Sequence, residues 1–162
     1  MEEIKRIPQR SEIAVEDTWN TADLYVSDEA WEEDLKSLEL AGDELSLYAG
    51  KLGESGATLC RYLTRMEEVD EKAGLLGSYC MRKADEDTRV AKYQAMRGRF
   101  TNVVVGLGAK CSFETPEIMD ISDEKLAAFY AEEPGLERYR RYLTNMRRRR
   151  EHILSPAEEK LL

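Results

Sequence analysis

Apolar residues recur at intervals of three and four along most of this chain, which is the signature of helices with one buried face. From Ser27 onward the apolar positions are Trp31, Leu35, Leu38, Leu45 and Tyr48, with Ala41 and Gly42 between them. Ser27 is a good N-cap, Asp28 and Glu29 suit the positive first turn, and Gly50 is a plausible stop. A second helical region runs from about Ser55 to Asp85. Its stripe is Leu59, Tyr62, Leu63, Met66, Val69, Ala73, Leu76 and Cys80, widened by Cys60 and Tyr79. A single globular helix of about thirty residues is long, so a break is expected near Asp70.

The third helix is predicted to open at Asp87 and Thr88 and to carry Val90, Tyr93, Met96, Phe100, Val103, Val104, Leu107 and Cys111. Gly98, Gly106 and Gly108 lower its helix propensity, and Val103 to Val105 would suit a strand. The sustained period decides for helix. The glycines then imply either close packing by a neighbour or a frayed final turn. Phe113 to Ile118 reads as a connector, because Pro116 cannot continue a helix. Ser122 caps the next helix, whose apolar face is Leu126, Phe129 and Tyr130, and Pro134-Gly135 ends it. A last complete helix carries Leu136, Tyr139, Tyr142, Leu143 and Met146 into the Arg147–Arg150 run.

Residues 1–26 show no helical period. Pro8 and the polar cluster Gln9-Arg10-Ser11-Glu12 predict an extended arm, with Trp19, Leu24 and Tyr25 as anchors that could pin it. At the other end, Ser155, Pro156 and Glu158 form a helix start with a capping box. Only a turn or two follows before Leu162. A short docked tail and a frayed end are the plain readings. The favoured one is that this is the front part of a larger protein whose chemistry lies downstream. The expected architecture is all-α: an antiparallel helical bundle of about five to six helices with an extended N-terminal arm. It comprises an arm over 1–26, a helical domain over 27–154, and the start of a truncated next helix over 155–162.

Composition narrows the classes. With 162 residues the chain is one domain, or one domain plus an arm, and is too short for a deep two-domain cleft. Charged residues make up 35% and the net charge is -9. No apolar run approaches the ~20 residues of a membrane span. Met1 to Arg6 contain no signal-peptide core, so the expected location is cytoplasmic. Seven arginines against two glutamates give residues 135–152 a net charge of +5, which leaves -14 on the remainder. An acidic body with one basic segment is unlike a nucleic-acid binder.

Candidate chemistry is sparse. Cys60, Cys80 and Cys111 lie far apart on apolar stripes, with no CxxC, and read as small buried hydrophobes. Together with His152, the only histidine, they could in number make a Cys3His zinc site, but no two sit at the spacing of paired ligands. No nucleophile signature accompanies His152. Glu67, Glu68, Asp70 and Glu71, and then Asp85, Glu86 and Asp87, read as solvated helix faces. A carboxylate-bridged metal bundle would need Glu-x-x-His motifs that one histidine cannot supply. Gly106-Leu107-Gly108 lacks the third glycine of a phosphate loop. The Arg147–Arg150 run reads as a solvated helix end, as a partner for carboxylates of a downstream region, or as a phosphate site. The acidic surroundings argue against the last.

Several segments in order resemble the N-terminal part of oligoendopeptidase F, a zinc peptidase of the thimet oligopeptidase superfamily, peptidase family M3. They are Arg10-Ser11-Glu12-Ile13, Thr18-Trp19-Asn20, Leu24-Tyr25 and Ser27-Asp28-Glu29-Ala30-Trp31. Further on come Tyr48-Ala49-Gly50-Lys51-Leu52 and Asp85-Glu86-Asp87-Thr88. Phe113 with Pro116-Glu117-Ile118 is similar to the family's connector. His152-Ile153-Leu154-Ser155, Glu158-Glu159 and Leu161-Leu162 are similar to the stretch entering its next helix.

The resemblance implies a cytoplasmic metallopeptidase that cleaves short peptides inside a helical, bowl-shaped molecule. Its zinc site would be an HExxH helix plus a further Glu, well downstream. One histidine cannot make an HExxH, so no catalytic, cofactor-binding or metal residue carries over to this chain. Zinc belongs to the parent family, and the partners implied are the missing C-terminal catalytic region and short peptides. The family's N-terminal helices look like a wall or lid over the cleft. The leading expectation is therefore an inactive gating lid. Tyr79, Tyr93 and the arginines from Arg138 onward, polar-tipped on apolar helices, are candidates to face the cleft. The alternative is a standalone helical interaction module or homo-oligomer, joined through apolar surface left uncovered. A carboxylate-based enzyme of another kind has no motif to support it.

Overall fold

The computed structural model describes residue 6 and residues 8–148. Among the described residues there is no strand, and the fold is the predicted all-α helical bundle. The α-helices are α1 (Asp28–Ser46), α2 (Gly56–Glu86), α3 (Ala91–Lys110), α4 (Glu114–Asp120), α5 (Asp123–Glu132) and α6 (Arg140–Arg147). Before α1 the arm takes three short 3-10 turns, Arg10–Glu12, Val15–Asp17 and Thr21–Asp23. The Ser155–Leu162 helix start, His152, Arg149 and Arg150 lie outside the described residues.

Local sequence explains several helix ends. The Ser27 hydroxyl accepts from the Ala30 amide at 3.2 Å, and the Ser122 hydroxyl accepts from the Lys125 amide at 3.2 Å. Both are N-cap bonds that satisfy an orphan donor. Gly50, after α1, has φ of 80°, a left-handed conformation that suits glycine.

Four expectations need correcting. The break near Asp70 is absent, because α2 runs unbroken from Gly56 to Glu86. Its buried stripe continues through Leu63, Val69 and Leu76, and such packing sustains length that propensity alone would not. The third helix starts at Ala91 and not at Asp87. The Asp87 carboxylate instead accepts from the Arg89 amide at 2.9 Å and holds a turn. Pro116 lies in the first turn of α4, where its missing N–H costs nothing, so the predicted connector is a helix. The final helix is split, since Pro134 opens a 3-10 helix, Pro134–Tyr139, ahead of α6. In addition, Gly98, Gly106 and Gly108 have open space where a Cβ would stand, so close packing does not explain them.

The chain divides into two compact units. The first takes the chain up to Leu40 together with Val69–Gly106. The second takes Ala41–Glu68 and the chain from Leu107 onward.

In the first unit the contact register shows an antiparallel pair. Asp28, Trp31 and Asp34 on α1 meet Tyr79, Leu76 and Lys72 on α2. Rising numbers on one helix match falling numbers on the other. The Trp31 indole N–H donates to the Leu76 carbonyl at 2.9 Å, and the ring is fully buried. Helix α3 is antiparallel to α2 in turn. Gln94 donates to the Ala84 carbonyl at 2.8 Å, and the Phe100 ring fills the space a side chain at Gly77 would need. Tyr25 pins the arm: it is buried, and its hydroxyl donates to Asp34 at 2.9 Å. Trp19 is not a buried anchor. It is 68% exposed, with the Arg82 guanidinium 4.8 Å from its ring centre.

In the second unit the end of α1 and the start of α2 are again antiparallel. Tyr48 meets Tyr62 edge-on at 5.5 Å, and Glu44 meets Arg65. From the last turn of α5 onward the chain runs alongside α2 in the same direction. Phe129 and Glu133 lie against Gly56, Gly135 against Cys60, and Arg138 against Glu67. A Cβ at Gly56 would stand 2.8 Å from the Phe129 carbonyl oxygen, so only glycine allows this backbone approach. The core comprises Leu52, Leu59, Tyr62, Ile118, Leu136 and Leu143.

Candidate functional site

Positions 57, 60, 61, 64, 65 and 68 of α2 are spaced by three and four and form the floor of a groove in the second unit. Glu44, near the end of α1, and Tyr48, in the turn after it, line the groove on one side, and Glu133 lines it as well. The groove encloses about 550 Å³, within the range of small-ligand sites. Ala57, the Cys60 thiol and the Tyr48 ring supply its apolar surface.

Its charges are unequal in their commitments. Arg65 donates to Glu44 at 2.8 Å and to Glu68 at 3.0 Å, and these bonds hold its guanidinium more firmly protonated than usual. Arg61 reaches only the Thr58 hydroxyl, at 3.5 Å, and pairs with no carboxylate among the described residues. Glu133 accepts from the Gly135 amide at 3.1 Å and has no cationic partner among them. Burial, and then the charge of Glu133, push the half-buried Cys60 thiol upward. A thiol held protonated in this way is a poor nucleophile.

Elsewhere the polar interior is built from tyrosines and carboxylates. In the second unit buried Glu114, in the first turn of α4, accepts from Tyr62 at 3.0 Å and from Tyr142. Burial first, and then the Glu114 charge, push the Tyr62 hydroxyl far above its ordinary range. In the first unit Asp28 accepts from Tyr79 and pairs with Lys92. Burial works to raise Asp28, but Lys92 and Tyr79 outweigh it and leave its carboxyl below the usual range. Asp34 is lowered mainly by Lys72. A buried tyrosine hydroxyl bound to a carboxylate satisfies both groups and ties the elements that carry them together.

Cys80 belongs to the first unit, Cys60 and Cys111 to the second. Cys80 and Cys111 are buried as expected, and burial raises the Cys80 thiol to about 11. Cys60, only half-buried, faces the groove instead. Among the described residues no group of three or more His, Cys, Asp or Glu could hold a metal ion. The described residues thus offer no ready ligand set for zinc. Tyr79 is buried and bound to Asp28, and Tyr93 is half-buried in the same unit. Among the arginines, Arg138 pairs with Glu67 and Arg140 with Glu137.

Arg147 corrects the reading of a solvated helix end. Its side chain is 9% exposed. It donates to the Ile118 and Ile121 carbonyls and to Asp123, and so closes the turn between α4 and α5. Sequence reading misses the groove. One signal is available: Arg61 has no acidic residue three or four positions away on its helix.

The family model described as Oligopeptidase F matches residues 117–162. The Bacillus subtilis oligopeptidase PepF is 34% identical over 157 residues, covering 97% of this chain and 23% of the relative. The chain matches the N-terminal part of oligoendopeptidase F, peptidase family M3. Two solved structures share its fold. One, from Chlamydophila abortus, has a TM-score of 0.83 and 26% identity, covering 96% of this chain and 26% of that one. The other, oligoendopeptidase-F from Enterococcus faecium, has a TM-score of 0.71 and 27% identity, covering 84% and 27%. The chain thus spans about a quarter of the length of the relatives it matches. Among the described residues no helix is long and apolar enough to cross a membrane.

Proposed function

We propose that this chain is the helical wall or lid of an oligoendopeptidase F-like zinc metallopeptidase that admits and cleaves short peptides in the cytoplasm. In this reading residues 1–26 are an arm, 27–154 the gating domain, and 155–162 the entry to the next helix. The principal partner is a downstream catalytic region whose HExxH would hold the zinc. The observation that carries the reading is 34% identity to an oligopeptidase across 157 residues, in a chain with a single histidine. Metal-replete, protease-free protein should not hydrolyse a bradykinin-sized peptide and should hold no stoichiometric zinc. Turnover of that peptide would overturn the reading. Sequencing the source gene past the codon for Leu162 tests the parent: an open frame reaching an HExxH supports it.

Exposed apolar residues favour a second reading, a standalone interaction module or homo-oligomer. Leu47 is 70% exposed and Leu40 64%. A dimer that grows with concentration in sedimentation equilibrium would support this reading, and a clean monomer would oppose it.

A further inference from the structure

The unequal commitments inside the second-unit groove suggest a ligand. Arg65 is neutralised by Glu44 and Glu68, and Arg138, which acts on Cys60 from nearby, is committed to Glu67. Arg61 and Glu133 are left as one cation and one anion lining the same cavity, each without an opposite charge among the described residues. Cys60, Ala57 and Tyr48 line the same cavity, and the Cys60 thiol and the Glu133 carboxylate both lie beside Gly135. That pattern is complementary to a molecule with a carboxylate at one end, an ammonium at the other and apolar side chains between.

We propose that this groove binds short apolar peptides of two or three residues with both termini free. The peptide carboxylate lies on the Arg61 guanidinium, which can take it in a two-point contact. The peptide ammonium lies on Glu133, and the side chains lie against Cys60, Ala57 and Tyr48. A cavity of about 550 Å³ has room for a di- or tripeptide and is larger than one amino acid needs. At about 3.3 Å per residue, a short extended peptide follows the floor that α2 provides. The site involves no chemistry on the ligand. It stands on the groove alone and does not depend on the gating role proposed above.

The test titrates leucyl-leucine into the isotope-labelled chain and follows backbone amide shifts. Saturable shifts at Cys60, Thr64 and Gly135 are expected, with a dissociation constant on the order of 1 mM. Arg61→Gln and Glu133→Gln should each weaken binding roughly tenfold, a typical cost of removing one charged partner. Both replacements keep a polar side chain, and in Glu133→Gln the side-chain carbonyl can still accept from the Gly135 amide. N-acetyl-leucyl-leucine amide, which lacks both charges, should not bind. Equal binding of the capped and free peptides would overturn the proposal. So would the absence of saturable shifts at ~10 mM, or retained affinity in both variants.

Discussion

In the first unit, the acids of α1 meet the side chains of other segments, whereas in the second, charged side chains repeatedly take hold of backbone. Three acids on α1 show the first pattern: Asp28 meets Tyr79 and Lys92, Glu32 meets Arg99, and Asp34 meets Tyr25 and Lys72. Three residues show the second. Glu117 accepts from the Gly50 and Leu52 amides, Arg147 donates to the Ile118 and Ile121 carbonyls, and Glu133 accepts from the Gly135 amide. The difference follows from helix length. The first unit consists largely of long helical runs whose backbone is satisfied internally. The second contains α4, α5, a 3-10 helix and α6 in quick succession, and each end leaves orphan amides or carbonyls. Long helices must be matched to one another, while short ones must first be tied off.

The largest effect should come from the packed centre of the first unit. Trp31→Ala removes a fully buried ring and its bond to the Leu76 carbonyl. It should cost about 3–5 kcal/mol, read as a lower urea midpoint at unchanged m-value. A loss under ~1 kcal/mol would mean that the matched helix pair does not depend on its largest buried residue.

Next comes backbone capture in the second unit. Arg147→Met keeps the apolar stem but strands the Ile118 and Ile121 carbonyls, at an expected cost of about 2 kcal/mol. Arg140→Met, which breaks only an exposed pair with Glu137, should cost at most ~1 kcal/mol. Equal losses in the two urea curves would erase the distinction between an arginine that ties off backbone and one that pairs on the surface.

Glycines sharpen the same contrast. Gly56→Ala forces a Cβ against the Phe129 backbone, which cannot swing away as a side chain could. It should destabilise by about 1–3 kcal/mol. Gly98→Ala, on α3 with open space around it, should stabilise by roughly 0.5–1 kcal/mol. Thermal melts that move both variants the same way would contradict this assignment of open and closed positions.

The sequence makes the long helices legible and the joints much less so. The stripe from Trp31 to Leu45 and that from Leu59 to Cys80 lie in the core nearly as periodicity predicts, because burial of one face is what the pattern records. Ser27 and Ser122 cap where their chemistry says they should. Pro116 misleads because a proline marks a first turn as readily as a break. Arg147 misleads because a basic run looks solvated until a carbonyl-rich turn, 26 and 29 residues earlier in the chain, closes on it. The groove escapes because its lining comes from segments far apart in sequence, and no local spacing encodes their meeting. Arg61, an arginine without a helical acid partner, is the one part of it visible in advance.

The smallest expected effect concerns acid, and it tests whether the matched pairs of the first unit act as ion pairs. Asp34 is held below its ordinary value of 3.8, chiefly by Lys72, and Asp28 also lies below that value once Lys92 and Tyr79 offset its burial. A carboxylate whose folded pKa is depressed binds protons more readily when unfolded. Its contribution is therefore complete above about pH 4 and is lost as pH falls through the lower folded value. Stability should thus be flat in this respect from pH 7 to about 5 and decline below 4. The pair is more than a third exposed on the Asp34 side, so its share should be under ~1 kcal/mol. Asp34→Asn should lower stability at pH 7 and shallow the acid decline, with the two urea curves converging as pH falls below the lowered folded value. If the Asp34→Asn curve instead ran parallel to the parent from pH 7 to 3, Lys72 would be a spectator. Asp34 would then act in the first unit through the Tyr25 hydroxyl and not through an ion pair.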